Sequence, residues 1–400
     1  MPKSLRDLTG DLVGNRALVR VDYNVPLSNG RVTDTMRIDA SLPTLQWLLD
    51  RGCRPVLLSH LGRPGGAPNP ALSLKPVAHA LANKIGAEVR FVEACDSPEA
   101  VTASRGIQDG GILLLENTRF LPGEMNNDPT LAERLGMLGD FFVNDAFGTM
   151  HRAHASTAGV AQFLSPAVFG LLVERELKAL SVLKDPPRPF VVAFGGAKIS
   201  DKIDVLKALL ARADRILVGG AMANTFLRAQ GYYMGESLVE DDAVDLAADL
   251  LGQAGERIQL PTDVIVTNSI KDPTAMVHEV AIDEITEGFA AVDIGPATRE
   301  RYQKCLKQCS SFFWNGPMGL FEDPRFTEGT FSLARTAAEI TNCGALTVVG
   351  GGDSAAAVRL AGLSEEMTHV STGGGAALEY VSTGGLPGLT ALFSYSDIVT

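Results

Sequence analysis

The feature that most limits the fold of this chain is a repeated alternation of short apolar segments with longer amphipathic ones. The apolar segments are rich in Val, Ile and Leu and are bounded by Gly, Pro or Asp, as buried strands are. Nearly continuous apolar strands that alternate with helices are typical of parallel sheets covered on both faces. The predicted strands are ALVRVDY (17–23), PVLLSH (55–60), GILLLEN (111–117), FFVNDAF (141–147), FVVAFGG (190–196), RILVGG (215–220), QLPTDVIV (259–266), SFFWNG (311–316) and ALTVVGGG (345–352).

The length of the chain predicts two domains. Its 400 residues exceed the usual size of one domain, and each half is long enough to bury a core. The segment LLVERELKALSVLKDPPRP (171–189) begins with a helical pattern and ends in a cluster of prolines. Such a cluster interrupts regular structure, so we place the domain boundary here. A ligand cleft between two α/β domains is then possible.

The charge balance excludes some partners. The formal net charge is −12 and the pI is near 5.0, whereas a protein that binds the nucleic-acid backbone needs a broadly basic face. No apolar run approaches the roughly 18 residues of a membrane span. We therefore expect a soluble, cytoplasmic protein that binds neither nucleic acid nor membrane, with a monomer as the default oligomeric state.

The five cysteines are odd in number and mostly far apart, which favours reduced thiols over a disulfide framework. Cys305 and Cys309, in CLKQC, could share a helix face and bind a metal ion. No close Cys or His completes a set of four ligands, so ordinary packing is the favoured interpretation.

Polar side chains stand at the ends of several predicted strands in the first half. Arg20, Asp22 and Asn24 alternate along LVRVDYNVP, so they share one side of an extended chain. Such side chains belong at the carboxyl end of a strand, where open α/β sheets bind their ligands. Arg37 is further along the loop after this first strand. The same arrangement follows other predicted strands, with His60 and Arg63 in SHLGRP, Arg119 in LLLENTRF, and His151, Arg152 and His154 in NDAFGTMHRAH.

If these strand ends meet at one crevice, their arginines and histidines could hold a small anion by bidentate hydrogen bonds. The expected ligand is a phosphorylated or carboxylated metabolite. Any single arginine could instead be a solvated loop residue, but four strand ends repeat the pattern. His151 and His154 could also bind a metal ion; with no third ligand nearby, anion contact or loop hydrogen bonding explains them better.

Two lysines follow a double-glycine turn in the second half, in FVVAFGGAKISDK. The spacing does not fit a Walker P-loop, which needs a lysine directly after the second of two glycines five apart. Gly195 and Gly196 still permit close backbone approach, and the N–H groups of a helix start favour an anion. Lys198 and Lys202 at such a helix start would oppose its dipole by roughly 0.3–1 kcal/mol each. An anionic ligand explains them better than solvation of a helix face.

The segment LTVVGGGDSAAA formally fits the dinucleotide pattern G-x-G-x-x-A at Gly350, Gly352 and Ala355. A dinucleotide-dependent oxidoreductase is therefore one alternative, although the next strand region, MTHVSTGGGA, ends without a carboxylate for a ribose. Asp353 beside phosphates would be repelled unless it held Mg²⁺, which suits a nucleoside di- or triphosphate. STGGGAALEYV repeats the glycine turn before a helix and supplies N–H donors at 373–375.

Together these motifs closely resemble those of the phosphoglycerate kinase family. The resemblance implies two doubly wound, parallel-sheet, Rossmann-like domains joined by a central helix, with a hinged cleft between them. A 3-phosphoglycerate-binding domain (1–170), a helix and hinge (171–189) and a nucleotide-binding domain (190–386) are implied, with a tail at about 387–400 that packs back on the first domain. The matching segments are RVDYNVP, SHLGRP, LLLENTRF, VNDAFGTMHRAH, GGAKISDK, VGGAMANTF, WNGPMGLFE, VVGGGDSAA and HVSTGGGA.

The resemblance also implies the site residues. The substrate-binding set is Asp22, Tyr23, Asn24, Arg37, His60, Leu61, Gly62, Arg63, Arg119 and Arg152. The nucleotide-binding set is Lys202, Gly219, Gly220, Glu322 on the ribose, Gly351, Gly352, Asp353 near the metal ion, and Ser354. The catalytic set is Arg37, Lys198, Lys202, Gly373 and Gly374. Ser354 replaces a more usual Thr and keeps the hydroxyl, whereas ITEGFAAVDIGP lacks the Trp and Met that many members carry.

The implied reaction is the reversible, Mg²⁺-dependent transfer of a phosphoryl group from 1,3-bisphosphoglycerate to ADP in glycolysis and gluconeogenesis. The acceptor carboxylate is already ionised, so positioning and charge neutralisation replace a general base. Lys202 would anchor the nucleotide phosphates while Lys198 follows the migrating group. Hinge bending around 171–189 would bring the substrates together. A non-catalytic anion-binding protein, or a kinase homologue that has lost activity, is the other alternative.

Overall fold

The computed structural model of the chain describes residues 2–393. They form two compact units, residues 2–178 with 385–393 and residues Ala179–Gly384. The expected tail at about 387–400 is described only as far as 393, and residues 394–400 lie outside the described residues. The roles expected for the domains stay predictions.

The first unit contains a parallel sheet of six strands in the order β5–β6–β4–β1–β7–β8 and a short β2–β3 hairpin. The division between the units falls inside α5. The helices and strands of the first unit, up to and including the helix that contains the division, are β1 (Arg16–Arg20), β2 (Leu27–Ser28), β3 (Arg31–Val32), α1 (Met36–Leu49), β4 (Arg54–Leu58), α2 (Lys75–Ile85), β5 (Val89–Val92), α3 (Pro98–Arg105), β6 (Ile112–Leu115), α4 (Pro129–Gly136), β7 (Phe141–Asn144), β8 (Ala167–Phe169) and α5 (Leu171–Ser181).

The second unit contains another six-stranded parallel sheet, in the order β11–β10–β9–β15–β16–β17, and a three-stranded sheet, β13–β12–β14. Helix α13 (Pro387–Thr390) returns to the first unit. The elements of the second unit are β9 (Phe190–Phe194), α6 (Ile203–Leu210), β10 (Arg215–Val218), α7 (Gly220–Ala229), α8 (Val244–Ala254), β11 (Ile258–Gln259), β12 (Asp263–Thr267), β13 (Val277–Ala281), β14 (Ala290–Ile294), α9 (Pro296–Leu306), β15 (Ser311–Asn315), α10 (Glu328–Asn342), β16 (Leu346–Gly350), α11 (Gly352–Leu360), β17 (His369–Val370) and α12 (Gly374–Thr383).

The apolar segments form strands for the reason that the sequence suggests. Every residue of β6, β7, β9 and β15 is buried, because helices cover both faces of a parallel sheet. Side-chain caps fix some helix starts: Ser97 accepts a hydrogen bond from the N–H of Ala100 before α3. The α/β class with two parallel sheets is confirmed.

One predicted strand belongs to a different sheet. QLPTDVIV was expected to be a single strand of a parallel sheet, and this is wrong. Ile258 and Gln259 pair with β10 in parallel, whereas β12 pairs with β13 and β14 in antiparallel orientation. Pro261 has no N–H for a sheet ladder, so the strand breaks there and the chain enters a second sheet.

The order of the strands places the functional crevices. In the first sheet β1 lies between β4 and β7, and in the second β9 lies between β10 and β15. The chain order reverses at these strands, and open α/β sheets bind ligands outside the carboxyl ends of strands at such a point. We therefore look for a site at the loops after these strands in each unit. Within residues 2–393 no helix is long and apolar enough to cross a membrane.

Candidate active site

A cavity of about 210 Å³ lies at the carboxyl ends of β1, β4, β6 and β7 in the first unit. Most of the predicted substrate-binding residues line it, together with three that were not in that set: Gly148, Thr149 and His151. The lining residues are Asp22, Asn24, Arg37, His60, Gly62, Arg63, Arg119, Gly148, Thr149, His151 and Arg152. Loops that are distant in sequence thus bring the predicted arginines together.

Hydrogen bonds among the loops hold the cavity in shape. The side-chain oxygen of Asn24 accepts a hydrogen bond from the N–H of Gly62 at 2.9 Å. The Nη1 atom of Arg119 donates to the carbonyl oxygen of Gly62 at 2.7 Å. Gly62 has a φ of +63°, which favours glycine. The loops after β1, β4 and β6 are therefore fixed to one another through this glycine.

Arg37 lies in the first turn of α1 and not in the loop where the sequence placed it. A cation at the amino end of a helix opposes the helix dipole. The carboxylate of Asp22 offsets this by forming an ion pair with the Nη1 atom of Arg37. Burial alone would raise the pKa of Asp22, but its neighbours, of which Arg37 contributes most, outweigh it and hold the pKa below its usual value. Asp22 thus stays ionised and orients Arg37.

One buried polar atom of a residue that lines the cavity, Nε of Arg119, has no hydrogen-bond partner within the described chain. Burial and the neighbouring charge of Arg152 lower the pKa of Arg119 to about 10. A buried guanidinium whose N–H donors are only partly satisfied is costly, and arginine donors in such a setting commonly meet an anion. The cavity is therefore suited to a small anionic ligand.

Neither Tyr23 nor Leu61 lines this cavity, although the sequence placed both in the substrate-binding set. Both side chains are buried in the core of the first unit. The Tyr23 hydroxyl forms a hydrogen bond with the hydroxyl of Ser41 at 2.8 Å. Residues that alternate along an extended chain point to opposite sides, so Tyr23 faces away from Asp22 and Asn24.

In the second unit Lys202 occupies the loop between β9 and α6. Its Nζ atom donates to the carbonyl oxygen of Gly195 at 2.6 Å. Burial lowers the pKa of Lys202 to about 8, and the charge of Asp353 opposes this shift. Lys198 is exposed and lies outside the helix, because α6 begins only at Ile203. The sequence placed both lysines at a helix start, whereas only Lys202, the residue directly before α6, lies at one.

Glu240 fixes the loop that carries both lysines, and the sequence did not reveal it. Its carboxylate accepts hydrogen bonds from the N–H groups of Ile199 at 2.8 Å and Ser200 at 3.2 Å. The acidic cluster VEDD in the sequence is the only local signal, and an acidic run is usually a solvated surface. The carboxylate orders the backbone between Lys198 and Lys202.

The glycines near Lys202 bring strand ends into contact. The N–H groups of Gly195 and Gly196 donate to the carbonyl oxygens of Asn315 and Pro317, at 2.9 and 3.0 Å. Those of Gly219 and Gly220 donate to other carbonyl oxygens, so none of these N–H groups is left for a phosphate. A Cβ on Gly195 would lie 1.9 Å from the Pro317 oxygen. These glycines allow close packing around the lysine.

Two helices begin side by side at the carboxyl end of β16. A Cβ on Gly374, the first residue of α12, would lie 2.7 Å from the Cα atom of Gly351 and 3.0 Å from the nitrogen of Gly352. The first N–H groups of a helix have no partner inside it and carry the positive end of the dipole. The starts of α11 and α12 therefore form one surface that is suited to an anion.

Asp353 and Ser354 occupy the first turn of α11. Asp353 is exposed, whereas Ser354 is buried and its hydroxyl accepts a hydrogen bond from the N–H of Gly316 at 2.6 Å. Among residues 2–393 no group of three His, Cys, Asp or Glu side chains is placed to hold a metal ion. Mg²⁺ commonly takes one or two carboxylates and completes its shell with substrate phosphates and water. Asp353 fits a metal ion that arrives with a nucleotide.

Two exposed leucines mark a surface that the sequence did not single out. The side chains of Leu238 and Leu320 are 62% and 37% exposed. The loops that carry these leucines are both hydrogen-bonded to β14. The hydroxyl of Ser237, next to Leu238, accepts from the N–H of Ala291, and the N–H of Leu320 donates to the carbonyl oxygen of Val292. Strand β14 comes from ITEGFAAVDIGP, the segment that departs from the family pattern. Apolar side chains here could contact the flat face of a nucleobase.

Comparison with known proteins shows the family to which the chain belongs. A family model described as phosphoglycerate kinase matches residues 5–384. A phosphoglycerate kinase of Chloroflexus aurantiacus is 50% identical over 98% of each chain, and one of Moorella thermoacetica is 49% identical over 97% of this chain and 98% of its own. The solved phosphoglycerate kinase of Coxiella burnetii is 39% identical with a TM-score of 0.86, covering 98% of this chain and 99% of its own. The chain belongs to the phosphoglycerate kinase family.

Proposed function

We propose that this chain transfers a phosphoryl group reversibly between 1,3-bisphosphoglycerate and ADP, giving 3-phosphoglycerate and ATP. The observation that carries the assignment of the acceptor site is the cavity of the first unit, which is lined by four arginines and two histidines. Their donors suit the phosphate and carboxylate of a small metabolite. Membership of the family supports the same reaction for the chain as a whole.

The acceptor site recognises each part of 3-phosphoglycerate by a different group. Arg63, Arg119 and Arg152 offer forked donors that match phosphate and carboxylate oxygens. The ionised carboxylate of Asp22 accepts a hydrogen bond from the substrate hydroxyl, which an all-cationic pocket could not do. The combination distinguishes a hydroxylated phosphoacid from inorganic phosphate.

The nucleotide site uses Lys202 and the starts of α11 and α12 for the phosphates. Lys202 contributes a charge that is partly shielded from water, and the helix starts contribute N–H groups. Leu238 and Leu320 provide the apolar surface for the base, and the exposed Glu322 is the expected ribose ligand. Mg²⁺ would be held by Asp353 and would neutralise phosphate charge.

Catalysis rests on positioning and on charge. The acceptor carboxylate is ionised at neutral pH, so no residue needs to remove a proton from it. Arg37, Lys198 and the N–H group of Gly374 are assigned to the charge that develops on the oxygens of the migrating phosphoryl group. The N–H group of Gly373, which the sequence also offered, already donates to the hydroxyl oxygen of Ser371 at 3.2 Å. Hinge bending within 171–189 stays a prediction that belongs to this mechanism.

The test is ADP formation when the pure protein is mixed with MgATP and 3-phosphoglycerate. A coupled dehydrogenase removes the product, and each substrate is omitted in turn. We expect ADP only when both substrates are present. Folded protein that binds MgATP but gives no ADP with both substrates would contradict the proposal and favour a homologue without activity. ADP formation without 3-phosphoglycerate would indicate a nucleotide hydrolase.

A further inference from the structure

Arg20 is a fully buried cation that the proposed reaction does not use directly. Its Nε atom donates to the hydroxyl oxygen of Ser156 at 2.8 Å, and its Nη1 atom donates to the carbonyl of Val21. Its Nη2 atom lies 3.2 Å from Nδ1 of His60, which lines the cavity of the first unit. A buried guanidinium thus connects the interior to the candidate substrate site.

The contact with Arg20 determines which nitrogen of His60 carries a proton. A guanidinium has only donors, so the Nδ1 atom of His60 must accept. A neutral imidazole with an accepting Nδ1 carries its proton on Nε2. The competing arrangement is an imidazolium that donates from Nδ1 to Asp22. Asp22 lies 3.9 Å from that atom, too far for a hydrogen bond, and is already paired with Arg37.

The charges around His60 favour the same state. Burial lowers its pKa well below the usual value, and the charge of Asp22 only partly opposes this. Arg20, Arg119 and Arg37 lower it further by repelling a second positive charge. His60 is therefore a neutral group among cations, and its Nε2–H remains a donor.

Arg20 itself is held by a buried carboxylate through one hydroxyl. Ser156 Oγ accepts from Arg20 and donates to Oε1 of Glu124 at 2.5 Å. Glu124 is fully buried and also accepts from the N–H of Ser156 at 3.0 Å and from the hydroxyl of Thr118 at 3.1 Å. A hydroxyl has a single proton and a guanidinium has no acceptor, so Ser156 accepts from Arg20 and gives its proton to Glu124.

We propose that Arg20 fixes His60 as the neutral tautomer protonated at Nε2, and that Ser156 and Glu124 are positioning residues for Arg20. His60 then donates an uncharged hydrogen bond to an oxygen of the bound anion. The consequence for substrate binding rests on the proposed function, because it takes 3-phosphoglycerate as the anion. The tautomer itself does not depend on that assignment.

The first experiment is long-range proton–nitrogen NMR of the full chain with ¹⁵N-labelled histidine and no ligand. The His60 signals are assigned as those lost in His60→Gln. We expect a non-protonated Nδ1 and a protonated Nε2 throughout neutral pH. An imidazolium, a proton on Nδ1 or an averaged mixture would overturn the proposal. Because no turnover is measured, a failure of the proposed function leaves this result intact.

The second experiment tests Ser156 and Glu124 as positioning residues. In Ser156→Ala we expect the His60 tautomers to mix and KM for 3-phosphoglycerate to rise roughly tenfold, with kcat and KM for ATP nearly unchanged. Ser156→Thr keeps the hydroxyl and should restore the single tautomer. Thr118→Val is the matched control, because it removes another buried hydroxyl that donates to Glu124 without touching Arg20.

Equal effects of Ser156→Ala and Thr118→Val on the His60 signals would indicate general loosening and contradict the positioning role. An unchanged tautomer in Ser156→Ala would contradict it as well. If Ser156→Ala does not fold, Ser156→Cys replaces the hydroxyl by a weakly hydrogen-bonding thiol and gives the same comparison. Unchanged KM with mixed tautomers would remove the link between His60 and substrate binding.

Discussion

Nucleotide affinity should depend on pH through Lys202. The pKa of this lysine is lowered by burial to about 8 from an ordinary 10.5. Nucleotide phosphates beside the ammonium group would favour its charged form and return the pKa toward the ordinary value. The charged form is then the one that binds, and the free protein loses it as the pH rises above 8.

The sign and size of the pH effect on ADP affinity follow from the linkage between proton binding and nucleotide binding. Below about pH 8 Lys202 is protonated in both the free and the bound protein, so affinity is constant. Between about pH 8 and 10.5 the free protein must take up a proton to bind, and affinity falls by up to roughly tenfold per pH unit. The phosphates contribute no slope there because their last ionisation is complete near pH 6 to 7. Affinity should be roughly tenfold lower at pH 9 than at pH 7.

The assay is calorimetric titration with ADP, without added metal ion, from neutral to alkaline pH. Lys202→Arg should give a nearly flat profile, because a guanidinium stays charged throughout. Lys207→Arg is the control, since Lys207 is exposed on α6, the helix that begins directly after Lys202, and should leave the slope unchanged. A flat profile in the wild-type protein, or an equal slope in Lys202→Arg, would refute the reasoning.

Three substitutions test other parts of the mechanism. Lys198→Ala should reduce kcat far more than ADP affinity. Steady-state kinetics and direct titration with ADP measure the two effects, and equal losses would contradict the prediction. Arg119→Ala should raise KM for 3-phosphoglycerate on the order of tenfold to a hundredfold and leave KM for ATP unchanged. Gly374→Ala should lower both ADP affinity and turnover, because its Cβ would enter α11, whereas Gly252→Ala, with open space around it, should change neither.

The periodicity of the sequence predicted the two parallel sheets, because buried strands are short apolar runs wherever helices cover both faces. The nine predicted runs all contain strands in the structure. The antiparallel sheet was not predicted, since β13 exposes much of its surface and lacks that apolar signal. The start of α1 was missed for another reason: its cap, Thr35, makes no side-chain hydrogen bond to the helix backbone.

The residues of the candidate site were predicted best where they follow the end of a predicted strand. Arg63, Arg119 and Arg152 follow apolar runs directly, and the cavity brings them together. The support behind them was not visible, because Arg20 meets Ser156 across 136 residues of chain and Ser156 meets Glu124 across 32. No local pattern encodes such contacts, since they depend on how the loops pack.

The glycines of the second unit have two different roles in the structure, close packing and the exposure of helix N–H groups, which the sequence alone does not distinguish. Near Lys202 the glycine N–H groups are bonded to strand carbonyls, so Gly195 and Gly220 matter for the space that a missing Cβ leaves. At α11 and α12 the glycines stand where helix N–H groups have no internal partner. We therefore expect phosphate recognition at the helix starts and at Lys202, while the other glycines let those parts pack close together.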